Sequence, residues 1–185
     1  MNSWAKGSTL HTTLAFLREL LGAVEVERLL AEGGGDQPLD PRMIAPTDEL
    51  EFARLDALWR AADAVLAATH PRWVEESGGY AIGTAGAQLY GGILRKPTPT
   101  DFLTQSVSLF RLYYRPGDME VVAEEPGAAV LRLVGFDAGT PLFCRRQTGG
   151  LGRAIELAGG DNARVSHVRC QHEGDAFCEW GLRWR

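Results

Sequence analysis

At "RPGD", residues 115–118, the spacing of apolar residues changes from three-and-four to two, and this switch splits the chain into a helical first part and a mixed second part. Before it, Leu10, Leu14, Leu17 and Leu21 predict a helix over 10–21, with Ser8 and Thr9 as candidate caps and Gly22 as its end. A second short helix over 24–31 runs into the glycine- and proline-rich "EGGGDQPLDPRMIAPTD", which reads as a loop. Residues 48–69 place Leu50, Leu55, Leu58, Trp59, Ala62, Val65 and Leu66 on one side of a long helix stopped by His70-Pro71. The glycine-rich "GGYAIGTAGAQLYGGILRKPTPTDF" reads as helix, and 102–114 as a further one.

After the switch, "MEVVAEEPGAAVLRLVGF" gives two strand-like runs around Pro126-Gly127, a hairpin signal. Residues 141–158 return to helical spacing, and 164–171 and 177–184 read as strands across "HEGDA". The order α-α-α-α-β-β-α-β-β predicts an α+β fold, with helices packed on one face of an antiparallel sheet of about four strands. At 185 residues the chain suits one buried core, so residues 1–185 are expected to form a single domain.

Composition narrows the function classes. A hydrophobic fraction of 45%, a charged fraction of 23% and a net charge of −5 describe a globular protein without the basic footprint of a nucleic-acid binder. "MNSWAKGSTLHTTLAFLRELLG" lacks the continuous apolar core of a signal peptide, and no later run reaches the length of a membrane span. The expected location is cytoplasmic. Three cysteines cannot form a complete set of disulfides, and in a reducing compartment they suit metal ligation or burial.

Two of those cysteines and two of the four histidines fall within "HVRCQHEGDAFCEW", residues 167–180. With the turn centred on Gly174, Cys170 and Cys178 face each other across two strands, close enough to share a zinc ion. Cys144 reaches the same point if its helix lies across the sheet. For the fourth ligand, alternation puts residue 172 on the face of 170 and residue 167 on the other, so His167 joins only through a bulge or a strand end. The pattern leaves both histidines open, and with them the alternative that the cysteines are simply small buried hydrophobes.

The stretch "FCRRQTGGLGRAIELAGGDNARVSHVRCQHEGDAFCEWGLRW" resembles the C-terminal half of the 4-vinyl reductase domain family, over roughly residues 130–185, through its cysteine-bearing helix and its C-x3-G-x3-C hairpin. That family sits in a ligand-binding superfamily of NO signalling and Golgi trafficking, which includes TRAPP subunits. The resemblance implies a zinc site in which Cys144 takes the helix position and Cys170 and Cys178 take the hairpin positions. His167 stands where the aromatic-responsive sensors carry an acidic residue. Histidine keeps the donor count and makes His167 a better fourth ligand than His172.

The expectation for function is a non-enzymatic sensory module that binds a small apolar or aromatic molecule, braced by structural zinc on Cys144, His167, Cys170 and Cys178. Trp59, Tyr80, Tyr90, Phe102, Phe110 and Tyr113 are the candidate cavity residues, although such side chains commonly serve as core. Output would pass through a homodimer or a downstream signalling protein. The alternatives are a haem- or NO-type sensor, since His and Cys ligate haem iron, a dimeric scaffold, or an enzyme, either a zinc hydrolase or a tetrapyrrole-processing protein. Glu173 and Glu179 are near the cysteines, but hairpin carboxylates usually face solvent, and no nucleophile–histidine–acid arrangement is identifiable.

Overall fold

The structure, a computed structural model, describes residues 2–33, 39–86 and 98–185. Six α-helices can be traced among the described residues: α1 (Gly7–Leu21), α2 (Ala23–Gly33), α3 (Phe52–Leu66), α4 (Trp73–Ala81), α5 (Pro99–Tyr113) and α6 (Pro141–Leu157). Strands β1 (Trp4–Lys6), β2 (Glu49–Glu51) and β3 (Tyr114–Arg115) make a small sheet in the order β2-β1-β3. Strands β4 (Asp118–Glu125), β5 (Ala128–Val134), β6 (Arg164–Arg169) and β7 (Cys178–Arg183) make an antiparallel sheet in the order β4-β5-β7-β6. The expected α+β class and the four-stranded sheet are both present.

The small sheet is the feature that periodicity does not carry. Its strands are two or three residues long, too short to show alternation, and each is fixed by pairing with a distant segment. It also moves the start of the third helix. Residues 49–51 pair with β1, so α3 begins at Phe52 and not at 48, and it ends at Leu66, ahead of His70-Pro71.

Capping of α1 differs from expectation for a similar reason. Ser8 and Thr9 lie inside its first turn, and the N-cap, Lys6, makes no side-chain capping bond. Gly7 and Ser8 instead donate their backbone N–H groups to the carbonyls of Asp48 and Pro46, both at 2.8 Å. Donors that a serine or threonine cap would otherwise satisfy are thus taken by a tertiary partner.

The helical stripes bury as their spacing predicts. Leu10, Leu14 and Leu17 of α1 and Leu55, Leu58, Trp59, Ala62 and Leu66 of α3 are buried, whereas Val65, at the edge of the α3 stripe, is 37% exposed. An aromatic cluster joins these helices to the sheet side: Phe52 meets Trp59, Phe136 and Phe143 edge-on at 5.6, 5.2 and 5.5 Å between ring centroids. On β5 the alternate residues Ala129, Leu131 and Leu133 turn to this core.

Helix α6 packs on β6 and β7 and is the element on which both sites depend. It continues through "TGGLG", a sequence that costs helix propensity, and its contact with α4 requires one glycine on each helix. A Cβ on Gly149 would lie 1.8 Å from the carbonyl oxygen of Glu75 in α4. A Cβ on Gly78 of α4 would lie 2.0 Å from the carbonyl oxygen of Arg146. The two helices therefore meet backbone against backbone.

Candidate functional site

The C-terminal hairpin and α6 bring four metal-ligating side chains to one point. Single ligand atoms of Cys144, His167, Cys170 and Cys178 all lie within 4.8 Å of one another. The three thiols are buried and not disulfide-bonded, and Cys144 Sγ stands 3.5 Å from Cys178 Sγ.

Each position has a local cause. Cys144 is on the buried side of α6, one turn before Thr148, whose Oγ1 accepts the Trp180 indole N–H at 3.0 Å and so ties the helix to β7. Cys178 opens β7 opposite Leu133 of β5. Cys170 follows β6 directly: the strand ends at Arg169, two residues earlier than expected, and Cys170 precedes a short 3-10 turn, Gln171–Glu173. The loop is drawn tight by Asp175, whose Oδ2 accepts the Cys170 N–H at 2.8 Å and whose own N–H donates to the Cys170 carbonyl at 3.1 Å.

His167 reaches the cluster through a bulge. The β6–β7 register shifts between His167 and Arg169, which is the irregularity that lets residue 167 share a site with residue 170. Its ring stacks on Trp180 at 4.9 Å with an interplanar angle of 20°, and its Nε2 is buried without a hydrogen-bond partner among the described residues. A buried nitrogen left unsatisfied is costly, and a metal ion at this point would supply the missing partner. His172 is exposed on the 3-10 turn, away from this set.

The thiols are not equivalent. Cys178 accepts from the Cys144 thiol and, at 3.5 Å, from the Gln171 backbone N–H, and these donors, with His167 nearby, hold its pKa well below the ordinary thiol range. Donation to Cys178, with burial, pushes Cys144 up. Burial pushes Cys170 up as well. One thiolate is thus built in, flanked by two thiols that would yield their protons to a metal.

Glu179 is not the solvated hairpin carboxylate that the sequence suggested. It is 6% exposed, its Oε1 accepts from Arg132 Nε and Nη2 at 2.9 and 2.7 Å, and its Oε2 lies 3.2 Å from Arg169 Nε. Such a carboxylate is committed to ion pairs rather than free to act as a base. Glu173 is exposed on the turn.

A second feature also borders α6. A cavity of about 100 Å3 lies among α1, α4, α5, α6 and β4, lined by apolar groups such as Ile82, Phe102, Phe110, Met119 and Leu151 together with Tyr113, Tyr114 and Arg146. Of the six residues expected to line a cavity, Phe102, Phe110 and Tyr113 do so. Trp59 is core, its indole N–H donating to Thr13 Oγ1 at 3.3 Å, and Tyr80 packs on Phe16 and donates to Glu19 at 2.7 Å. Tyr90 lies outside the described residues. Arg146 escapes a sequence reading that selects cavity residues for apolar or aromatic character, and Tyr114, within the segment expected to be helical, stands in β3.

No family model matches this chain, and no curated protein matches it. Solved structures do. An H-NOX protein from S. oneidensis in the Fe(II)NO ligation state superposes with a TM-score of 0.76 at 15% identity, covering 97% of this chain and 99% of that one. A mutant H-NOX protein from K. algicida, Fe(II) and unliganded, gives 0.74 at 10% identity, covering 97% and 96%. A variant of Tt H-NOX gives 0.72 at 15%, covering 97% and 95%.

These likenesses overturn the resemblance to the 4-vinyl reductase domain family. That resemblance rested on about a third of the chain, a cysteine-bearing helix and a hairpin, and such a local pattern does not specify the arrangement of the helices that precede it. The likeness to H-NOX structures spans nearly the whole length of both chains, so the fold of this chain is the H-NOX fold.

Proposed function

We propose that this chain is a non-enzymatic sensory module of H-NOX architecture, with the cavity beside α6 as its small-molecule site. The carrying observation is the position of that apolar cavity between helices and sheet in a chain that follows H-NOX structures over 97% of its length. Among the functions open from sequence, these structures favour the haem- or NO-type sensor over a module defined by zinc alone, since they are described by Fe(II)NO ligation and by haem distortion.

Whether haem itself suits this cavity is a question for its residues. None of the four histidines lines it: His11 lies 2.6 Å from the Ile44 carbonyl, His167 belongs to the thiol cluster, and His70 and His172 are exposed. Its volume of about 100 Å3 is nearer to a cavity that accepts benzene, on the order of 150 Å3, than to one that encloses a porphyrin. A histidine-ligated haem does not fit, and the sensory reading stands on a smaller ligand. Haem titration tests this directly. No Soret band above that of free haem is expected, and one haem per chain with a histidine-type spectrum would overturn it.

We further propose that Cys144, His167, Cys170 and Cys178 hold one zinc ion as a structural brace. Four protein donors close a tetrahedral shell and leave no position for substrate, which supports a non-enzymatic role. When bound, zinc would lock α6 to the hairpin beside the cavity. No helix is long and apolar enough to cross a membrane among the described residues. A cytoplasmic location and output through a homodimer or a downstream signalling protein complete the proposal; light scattering on the purified chain reads the first of those partners.

A further inference from the structure

Arg146 is 4% exposed and lines a cavity whose other walls are largely apolar. Its Nη1 donates to Ser77 Oγ at 2.6 Å, the Tyr114 phenol is a near neighbour, and its Cζ lies 5.2 Å from the centre of the Trp59 ring. All three partners are neutral. Tyr114 in particular supplies no counter-charge, because burial pushes its phenol above the ordinary range. Among the described residues no carboxylate pairs with Arg146. Arg145, its neighbour in sequence, is bound by Glu75 at 2.9 Å, and Arg153 further along α6 by Glu156 at 2.8 Å, so both other guanidinium groups of the helix have their anions.

A guanidinium does not shed its proton to escape burial, and a buried charge without a counter-charge is expensive. The ring of Trp59 offsets part of that cost, but an anion with two oxygens matches the fork of donors far better. The space next to it is apolar and close to the size of one aromatic ring. We propose that Arg146 anchors the carboxylate of a small monocarboxylic acid whose apolar part lies against Phe102, Phe110 and Leu151. This rests on the reading of the cavity as the ligand site and assigns the ligand a chemical class: an aromatic or short-chain carboxylate.

The test is titration calorimetry of the purified chain with benzoate and with benzamide, which has the same shape and no charge. Benzoate is expected to bind roughly 10- to 100-fold more tightly, the range of a charge-assisted hydrogen bond. In Arg146→Met the benzoate affinity should fall to that of benzamide, while Arg146→Lys should retain part of the difference. Equal affinities in the unmodified protein would overturn the inference and leave the cavity reading in place, whether or not the Met variant folds. Binding of neither compound would remove the cavity reading, and the inference with it. Protection from heat by sodium chloride equal to that by benzoate at the same concentration would overturn the organic part of the assignment.

Discussion

Gly149 of α6 lies so close to Glu75 of α4 that any side chain at 149 would have to begin inside van der Waals contact with the Glu75 carbonyl oxygen, at 1.8 Å. Gly152, one turn further along the same helix, has open space: its nearest neighbour would be a methyl of Val165 at 3.8 Å. The two positions are alike in helix propensity and opposite in packing. Gly149→Ala should destabilise the fold by about 2–4 kcal/mol, because backbone must move. Gly152→Ala should be neutral or stabilise by up to about 1 kcal/mol through helix propensity. Urea denaturation of both variants measures the contrast, and a mild Gly149→Ala would mean that the helices do not meet in this way.

The metal brace predicts coupled losses. Purified protein should carry about one zinc per chain, and Cys178→Ser, which removes the built-in thiolate, should lower both zinc content and melting temperature. His167→Cys should retain zinc, since it restores a fourth donor, whereas His167→Phe keeps the stacking surface against Trp180 and should not. Elemental analysis and thermal melts on the same preparations give the answer. If zinc is absent and Cys178→Ser melts like the parent, the cluster is only core.

Zinc affinity should rise with pH, with the sign set by which thiols still carry protons. Cys178 sits below the ordinary thiol range through the Cys144 thiol and other donors, whereas Cys144 and Cys170 sit above it. Near neutral pH, binding must therefore expel protons from Cys144 and Cys170, and each expelled proton changes the apparent affinity about tenfold per pH unit. Competition with a chromophoric chelator between pH 6 and 8 should give a slope of about two decades per unit. A flat profile would mean that the protons are already lost or that these thiols are not ligands.

The layout of the fold was largely legible in the sequence, since the helical stripes of α1 and α3 and the alternation along β5 each report a buried face directly. What escaped lies in contacts between distant segments. β2 reads as the start of a helix because three residues are too few to show a period, and the cap of α1 comes from the carbonyls of Asp48 and Pro46, far away in sequence. The Cys/His cluster was visible as composition in "HVRCQHEGDAFCEW", but the bulge that admits His167 is a property of the β6–β7 pairing. Arg146 gave no signal, because one arginine in "FCRRQTGG" is paired and the next is not, and only the packing of α6 against α4 tells them apart. Family assignment failed for a related reason: a local helix-and-hairpin pattern does not report the arrangement of the first 130 residues.

Glu179 tests the remaining catalytic alternative. Its carboxylate is shared by Arg132 and Arg169, and the same two guanidinium groups stand 3.8 and 5.3 Å from the centre of the Phe177 ring. The arrangement clamps the outer side of β7 next to Cys178, and it is structural if removing the charge weakens the fold without touching the metal. Arg132 and Arg169 are 34% and 55% exposed, so solvent screening reduces what each pair contributes. Glu179→Gln should accordingly cost about 1–2 kcal/mol, less than a fully buried pair would. Zinc stoichiometry and the benzoate affinity should stay at the parent's values. A variant as stable as the parent but with altered metal content would move Glu179 out of the clamp and into the metal site.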